Sequence, residues 1–326
     1  MHSGPLDLCP SLNPGGSMHK YIISRLLSLI PVILAVSFIV FFIVDLAPGD
    51  VVDIIAGTEV SVADKAVMRE EMGLNKPLLV RYFRYMGGML RGDMGISYVT
   101  NKNVFDIYMS RLPATLLLAS VGTIVALAIA IPLGITAAVH QNTWLDSSSM
   151  VIGLLGLSIP TFWLGLMLII VFSLKLGLFP SIGNQTLLSI VLPAITVGSG
   201  QAALTMRTTR SSMLEVIRQD YLSTARAKGV PEKVVIRKHA FKNALIPILT
   251  VIGTQFGVAL GGAVMTETVF AWPGVGRLLV DSISNRDTLM VTGSIILTTI
   301  LSSIVMLLID IAYAFVDPRI KARYVK

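Results

Sequence analysis

The sequence predicts an all-α membrane protein with six transmembrane helices, and three observations carry that expectation. Its 326 residues are 54% hydrophobic and only 14% charged, with a mean hydropathy of +0.77, beyond the range of ordinary water-soluble domains. The apolar residues come in runs of about 20 or more, the length a helix needs to cross a bilayer while satisfying its own backbone N–H and C=O groups. The charges gather in the segments between those runs.

In chain order, residues 1–17 (MHSGPLDLCPSLNPGGS) read as a polar, Pro- and Gly-containing extension or as residues upstream of a true start at Met18. Cys9 is the single cysteine, so it offers neither an internal disulfide nor metal-ligand spacing. The first span is expected near 21–44. A cleaved signal peptide is the rival reading of 20–44, but its apolar core exceeds the usual ~7–15 residues and lacks a small-residue cleavage site. Residues 45–111 form a long loop with eight basic and nine acidic residues. Within it 61–72 reads as a helix closed by Gly73 and 77–90 as a second. Further spans are expected at 112–139, 149–174, 190–206, 244–266 and 291–316, followed by a tail at 317–326.

An even number of spans puts both termini on one side, and Lys and Arg decide which. Segment 207–243 carries nine basic against three acidic residues, a net +6, and the tail carries four against one. Both are therefore expected in the cytoplasm. Segments 45–111 and 267–290 are near neutral and expected outside. Segment 140–148, also cytoplasmic by count, has no Lys or Arg. The net charge of +7 thus lies beside the spans and points to a lipid bilayer rather than to nucleic acid.

Several function classes are excluded. Buried carboxylates or histidines, the mark of proton and ion relays, are nearly absent from the spans; Arg25 and Asp310 are the ionisable exceptions. There is no HExxH, no GxSxG and no Gly-Lys dipeptide, hence no zinc-protease site, no nucleophile elbow and no P-loop. No cofactor, metal or catalytic residue is expected. Polar groups inside the spans are uncharged: Ser158, Thr161, Gln201, Thr254 and Gln255 are candidates for lining a passage, and a hydrogen bond to a neighbouring helix is the other reading of each. Gly122 and Gly134, spaced with Ala126 and Ala130, form a small-residue seam, as do Gly253, Gly257 and Gly261. Their partner helices belong either to this chain or to a second subunit. Pro132, Pro160 and Pro193 are placed to bend helices.

The basic segment has an internal design. Residues 211–228 are rich in helix formers, Gly229 suits a left-handed helix end, and Pro231 suits the first turn of another helix. Pro247 is placed to begin the return into the membrane. Two helices joined by a tight corner result. Tyr221 and Ala225 share a helical face, and Thr224, Ala227, Gly229 and Val230 complete a corner that another protein's side chains could approach closely. On residues alone, such a loop either docks a partner or only fixes topology by its charge.

The stretches YLSTARAKGV and NALIP resemble the coupling loop, the EAA motif, of permease subunits of bacterial ATP-binding-cassette importers. RLLSLIPVILAVSFIVFFIVDLAPGD, MGLNKPLLVRYFRYMGGMLRGDMGIS, RLPATLLLA, LGLFPS, ETVFAWPGVGRLLVDSISNRD and DPRIKARY are similar, in the same order, to the dipeptide/oligopeptide permease B type of the peptide, nickel and opine group. The generic motif opens with Glu where this chain has Ser223, and its proline is closer to the glycine than Pro247 is to Gly229. The contact is therefore expected to rest on small residues and shape rather than on a carboxylate. The resemblance implies a type I importer permease fold, with a core domain at 112–316 and the coupling loop at 207–243. It implies a heterodimer with a second homologous permease, two cytoplasmic ATPase subunits, an extracytoplasmic solute-binding protein docking on 45–111 and 272–287, and a place in the bacterial or archaeal inner membrane. It implies uptake of di- or oligopeptides, with nickel chelates, glutathione or opines as alternative cargoes. By the same resemblance Tyr221, Thr224, Ala225, Ala227, Gly229 and Val230 couple to the ATPase, and ATP hydrolysis belongs to the partners. A secondary transporter or channel is the rival class.

Overall fold

The structure, a computed structural model, describes residues 16–46, 51–56 and 60–316; the expected extension, apart from residues 16–17, and the tail at 317–326 lie outside the described residues. Helix α1 (Gly16–Leu46) is the first span. A short α2 (Val51–Ala56), α3 (Val62–Glu71) and α4 (Leu78–Met89) follow in the outer segment. Ser61 caps α3, its Oγ accepting from the Asp64 amide, and Gly73 takes the left-handed conformation (φ 69°) that ends the turn. Helix α4 lies against α1, where the Tyr82 hydroxyl meets Ser37 Oγ at 2.9 Å and donates to the Leu34 carbonyl at 3.2 Å. Arg81 pairs with Asp45 at the end of α1.

Helix α5 (Val104–Val139) begins eight residues before the expected start of the second span, capped by the Asn103 side chain. The third span is a correction. Instead of one helix over 149–174 there are two, α6 (Trp144–Ser158) and α7 (Thr161–Leu168), the latter running on as a π-helical turn, Ile169–Lys175. The bend between them is 96°. Pro160 has no N–H to donate and drives the preceding Ile159 out of helical geometry, to φ −81° and ψ 121°.

Helix α8 (Val191–Ile217) does not stop near 206 but continues eleven residues further. The expected helix over 211–228 is consequently split: α8 ends at Ile217, Gln219 is extended (ψ 143°), and a separate α9 (Asp220–Ala227) follows. Then come α10 (Glu232–Val234), a π-helical segment Val235–Ala240 and α11 (Phe241–Gly262). Pro247 lies inside α11 rather than at its start, because the helix is already running when it reaches the membrane. After α11 the chain forms α12 (Val264–Val269), α13 (Val275–Ser284) and the last span α14 (Thr288–Val316). The side chains of Arg25 and Asp310 lie outside the described residues. Among the described residues five helices are long and apolar enough to span, or six with the bent pair as one.

Helices α5 and α8 form the centre of the bundle. A Cβ on Gly134 would stand 2.6 Å from Thr209 Cβ and 2.8 Å from the Met206 carbonyl oxygen; one on Gly122 would meet Val197 at 2.9 Å, and one on Gly198 the Gly122 carbonyl at 2.7 Å. This seam therefore joins two helices of the same chain, with backbones close enough to exclude any side chain. The second seam differs: Gly253 is buried, Gly257 faces the flexible end of Met306, and Gly261 faces open space. Replacing Gly134 with Leu should lower stability by about 1–3 kcal/mol through overpacking, while Gly261→Ala should leave it unchanged, as read by thermal denaturation of the purified, detergent-solubilised chain.

Candidate functional site

The basic segment folds as an elbow. Helix α9 has only eight residues, too few to be stable alone, so tertiary packing must hold it. Leu222 supplies that packing: it is fully buried among Ala138 of α5, Met213 of α8, Val235, Ile236 and Ala240 of the π-helical segment, and Ala244 and Ile248 of α11. Ala225 and Val230, one turn on and beyond the corner, pack against the same cluster. Tyr221, Thr224, Ala227 and Gly229 are exposed. Sequence reasoning grouped all six as one contact surface; helical geometry divides them, since Leu222 and Ala225 at i, i+3 point inward together. That apolar spacing was the available signal for Leu222.

Polar contacts fix the corner's shape. Gly229 has φ 79° with nothing within 4 Å of a would-be Cβ, so backbone conformation rather than space demands glycine there. Arg226 donates Nε and Nη2 to the two oxygens of Glu232 at 3.0 and 2.9 Å, bracing α9 against α10. The Tyr221 hydroxyl accepts from Asn243 Nδ2 at 2.6 Å, tying α9 to α11. The segment without Lys or Arg borrows them from α8 and the residue that caps it: Arg210 makes a bidentate pair with Asp146 at 2.6 and 2.7 Å, and Arg218 donates to Gln141 Oε1 at 3.2 Å. The bidentate pair binds the start of α6 to the same end of the bundle. Lys228, Lys233, Arg237, Lys238 and Lys242 remain exposed around the elbow.

The candidate passage residues separate. Ser158 and Thr161 are exposed and flank the 96° break. Gln201 is buried against α5, its Oε1 accepting from Thr123 Oγ1 at 3.0 Å while its Nε2 has no partner. Thr254 is exposed, its hydroxyl returned to its own helix at the Thr250 and Val251 carbonyls, and Gln255 is half-buried. Among the described residues no hydrogen bond joins Thr254 or Gln255 to the other three, and no cluster of potential metal ligands occurs.

A buried carboxylate at the opposite end escaped the sequence reading, which counted Glu267 only as a loop acid. Its side chain is fully buried; Oε1 accepts from Thr115 Oγ1 at 2.7 Å and Oε2 from the Arg277 amide at 2.9 Å. A Cβ on Gly274 would fall 2.3 Å from Oε1 and one on Gly276 2.9 Å from Oε2, so both glycines of the WPGVG stretch make room for the carboxylate. Thr115 Oγ1 also accepts from the Val275 amide at 2.8 Å, and Trp272 donates Nε1 to the Ala114 carbonyl at 2.9 Å. The signal in the sequence was the pair of glycines, which reads as a close approach without saying to what.

Residues 130–322 match the family described as binding-protein-dependent transport system inner membrane component, and 18–119 match the N-terminal membrane component of the same systems. The chain is 41% identical over 304 residues, 93% of its own length and 99% of the relative's, to the glutathione transport system permease protein GsiC of Escherichia coli strain K12. The same figures hold for GsiC of Salmonella paratyphi A. In fold it is similar to a chain of the MetNI methionine ABC transporter, solved in inward-facing conformations, with a TM-score of 0.57 at 21% identity over 65% of this chain and 97% of that one.

Burial raises the Glu267 carboxyl above its ordinary value of 4.5, opposed by the bonds from Thr115, Arg277 and Gly276. Because the folded state holds this proton more tightly than the unfolded state, the stability it contributes is complete below the unfolded value and is lost as pH rises through the folded one. Thermal denaturation across that range should show the wild type losing several degrees more than Glu267→Gln. Parallel profiles would mean the carboxyl is already ionised in the fold.

Proposed function

The chain belongs to the binding-protein-dependent transport system inner membrane components, permease subunits of ATP-binding-cassette importers, and from that premise we propose that it carries small peptides inward through a passage shared with a second, homologous permease. It is a translocating subunit and not an enzyme. Permeases of this class work with a partner permease, ATPase subunits and a binding protein. In this reading the assembly is a heterodimer on two cytoplasmic ATPase subunits in the inner membrane, with both termini cytoplasmic; the net +6 of 207–243 supports that orientation. The segments 45–111 and 272–287 receive the solute-binding protein. Glutathione, the cargo in the name of the GsiC relatives, is the first peptide to test.

The observation that carries the mechanism is the buried Leu222. It makes α9 a rigid extension of α5, α8 and α11, so a push on the exposed corner of Tyr221, Thr224, Ala227 and Gly229 moves three spans together. Closure of the ATPase pair on ATP supplies the push, and the core 112–316 tilts from inward- to outward-facing. The uncharged residues near the α6–α7 break, Ser158 and Thr161, line the passage with weak affinity, leaving selection to the binding protein.

Ala227→Trp adds bulk to the exposed face without touching the Leu222 cluster. It should leave abundance in the membrane unchanged while lowering ATPase co-purification and uptake of labelled glutathione by about tenfold or more; Ala227→Ser should behave as wild type. Normal ATPase association in the Trp variant removes the docking surface, whereas intact association with uptake of other peptides only would reassign the cargo alone.

A further inference from the structure

A cavity of about 300 Å³ opens at the end of the bundle opposite the elbow. Its walls are Val40, Ile43 and Val44 from the last turns of α1, Val291 and Ile295 from the first turns of α14, and Ile283 of α13. Into this apolar lining comes one charged side chain, Arg286, from the turn between α13 and α14. Its Nη1 is buried and has no hydrogen-bond partner. Neighbouring carboxylates are already engaged. Asp287 accepts from Ser97 Oγ through one oxygen and from the Met290 amide through the other, Asp281 faces Arg277, and Asp45 pairs with Arg81. A buried guanidinium nitrogen without an acceptor is costly, and none of the described residues supplies one.

We propose that this groove binds an anionic glycerophospholipid, its phosphate on Arg286 and an acyl chain along Val40, Ile43, Val44, Val291 and Ile295. Arg286 stands two residues before the last span, at the level of the headgroups. From Thr288 to Ile295 the groove descends about 10 Å at 1.5 Å per residue, into the hydrocarbon. Helix α1 is exposed over most of its length and packs on α14, so the groove lies at the edge of the bundle, away from the α5–α8 centre. An occupant charged at one end and apolar along the rest, arriving sideways, has the chemistry of a membrane lipid.

The test is native mass spectrometry of the full-length chain co-purified with its partner subunits, delipidated in detergent and titrated with phosphatidylglycerol or phosphatidylcholine of the same acyl composition. Phosphatidylglycerol should bind about tenfold more tightly, because its phosphate charge is uncompensated whereas the choline ammonium of phosphatidylcholine offsets its own. Arg286→Gln should reduce it to the phosphatidylcholine level, and Arg286→Lys should keep the preference. Ile295→Trp, which fills the groove and retains the arginine, should weaken both lipids; inorganic phosphate should not compete. Equal binding of the two lipids, a preference that survives Arg286→Gln, or a photo-crosslinker at Ile283 that captures the second permease instead of lipid would each overturn the proposal.

Discussion

The structure depends on backbones approaching closely where no side chain intervenes. In a bilayer there is no hydrophobic drive to press one helix on another, so association rests on packing at small residues. Helices α5 and α8 meet at Gly122, Gly134 and Gly198, and each site is too tight for even a methyl group. Three further parts are built onto that pair: α6 through the Asp146–Arg210 bond, α11 through its packing on α8, and the elbow through Met213 and Ala138.

Much of this was legible because lipid imposes a simple code. Span length and loop charge are fixed by bilayer thickness and by the cost of moving charge across it, so the spans and their order follow from the sequence almost directly. The outer helices were legible for a different reason, a capping serine at Ser61 and a terminating glycine at Gly73. What escaped was set by tertiary contact. The sequence marks Ile159–Pro160 only as a bend, because proline in a membrane helix is compatible with anything from a slight kink to a right angle. The division of 211–228 at Gln219 has no strong local breaker; Leu222 reaches its cluster only if the chain turns there. The identity of the α5 seam's partner was open because a run of small residues records closeness and not the neighbour.

The six candidate coupling residues lie together at the elbow but divide between two faces. Small residues at the corner suggested one surface, yet Ala225 and Val230 help to anchor the elbow while Tyr221, Thr224, Ala227 and Gly229 remain available. Anchor and contact must alternate on a helix of two turns, since a helix this short cannot form unless one face is buried. The basic side chains around it are exposed; the bidentate Arg226–Glu232 pair, being largely exposed, contributes at most about 1 kcal/mol and serves chiefly to hold an angle.

Helix α5 gives that arrangement its reach. At one end Ala138 lies in the Leu222 cluster, and at the other Thr115 bonds Glu267 and the Val275 amide. At 1.5 Å per residue these points are about 35 Å apart, roughly the hydrocarbon thickness of a membrane. A displacement of the elbow therefore cannot tilt α5 without also moving its bonds to the WPGVG turn, where Gly274 and Gly276 leave no slack around the carboxylate. A rod gripped at both ends, and stiffened along its length by close contact with α8, links the two faces of the membrane mechanically. On the proposed mechanism that linkage needs no charged relay, in keeping with spans so poor in ionisable groups.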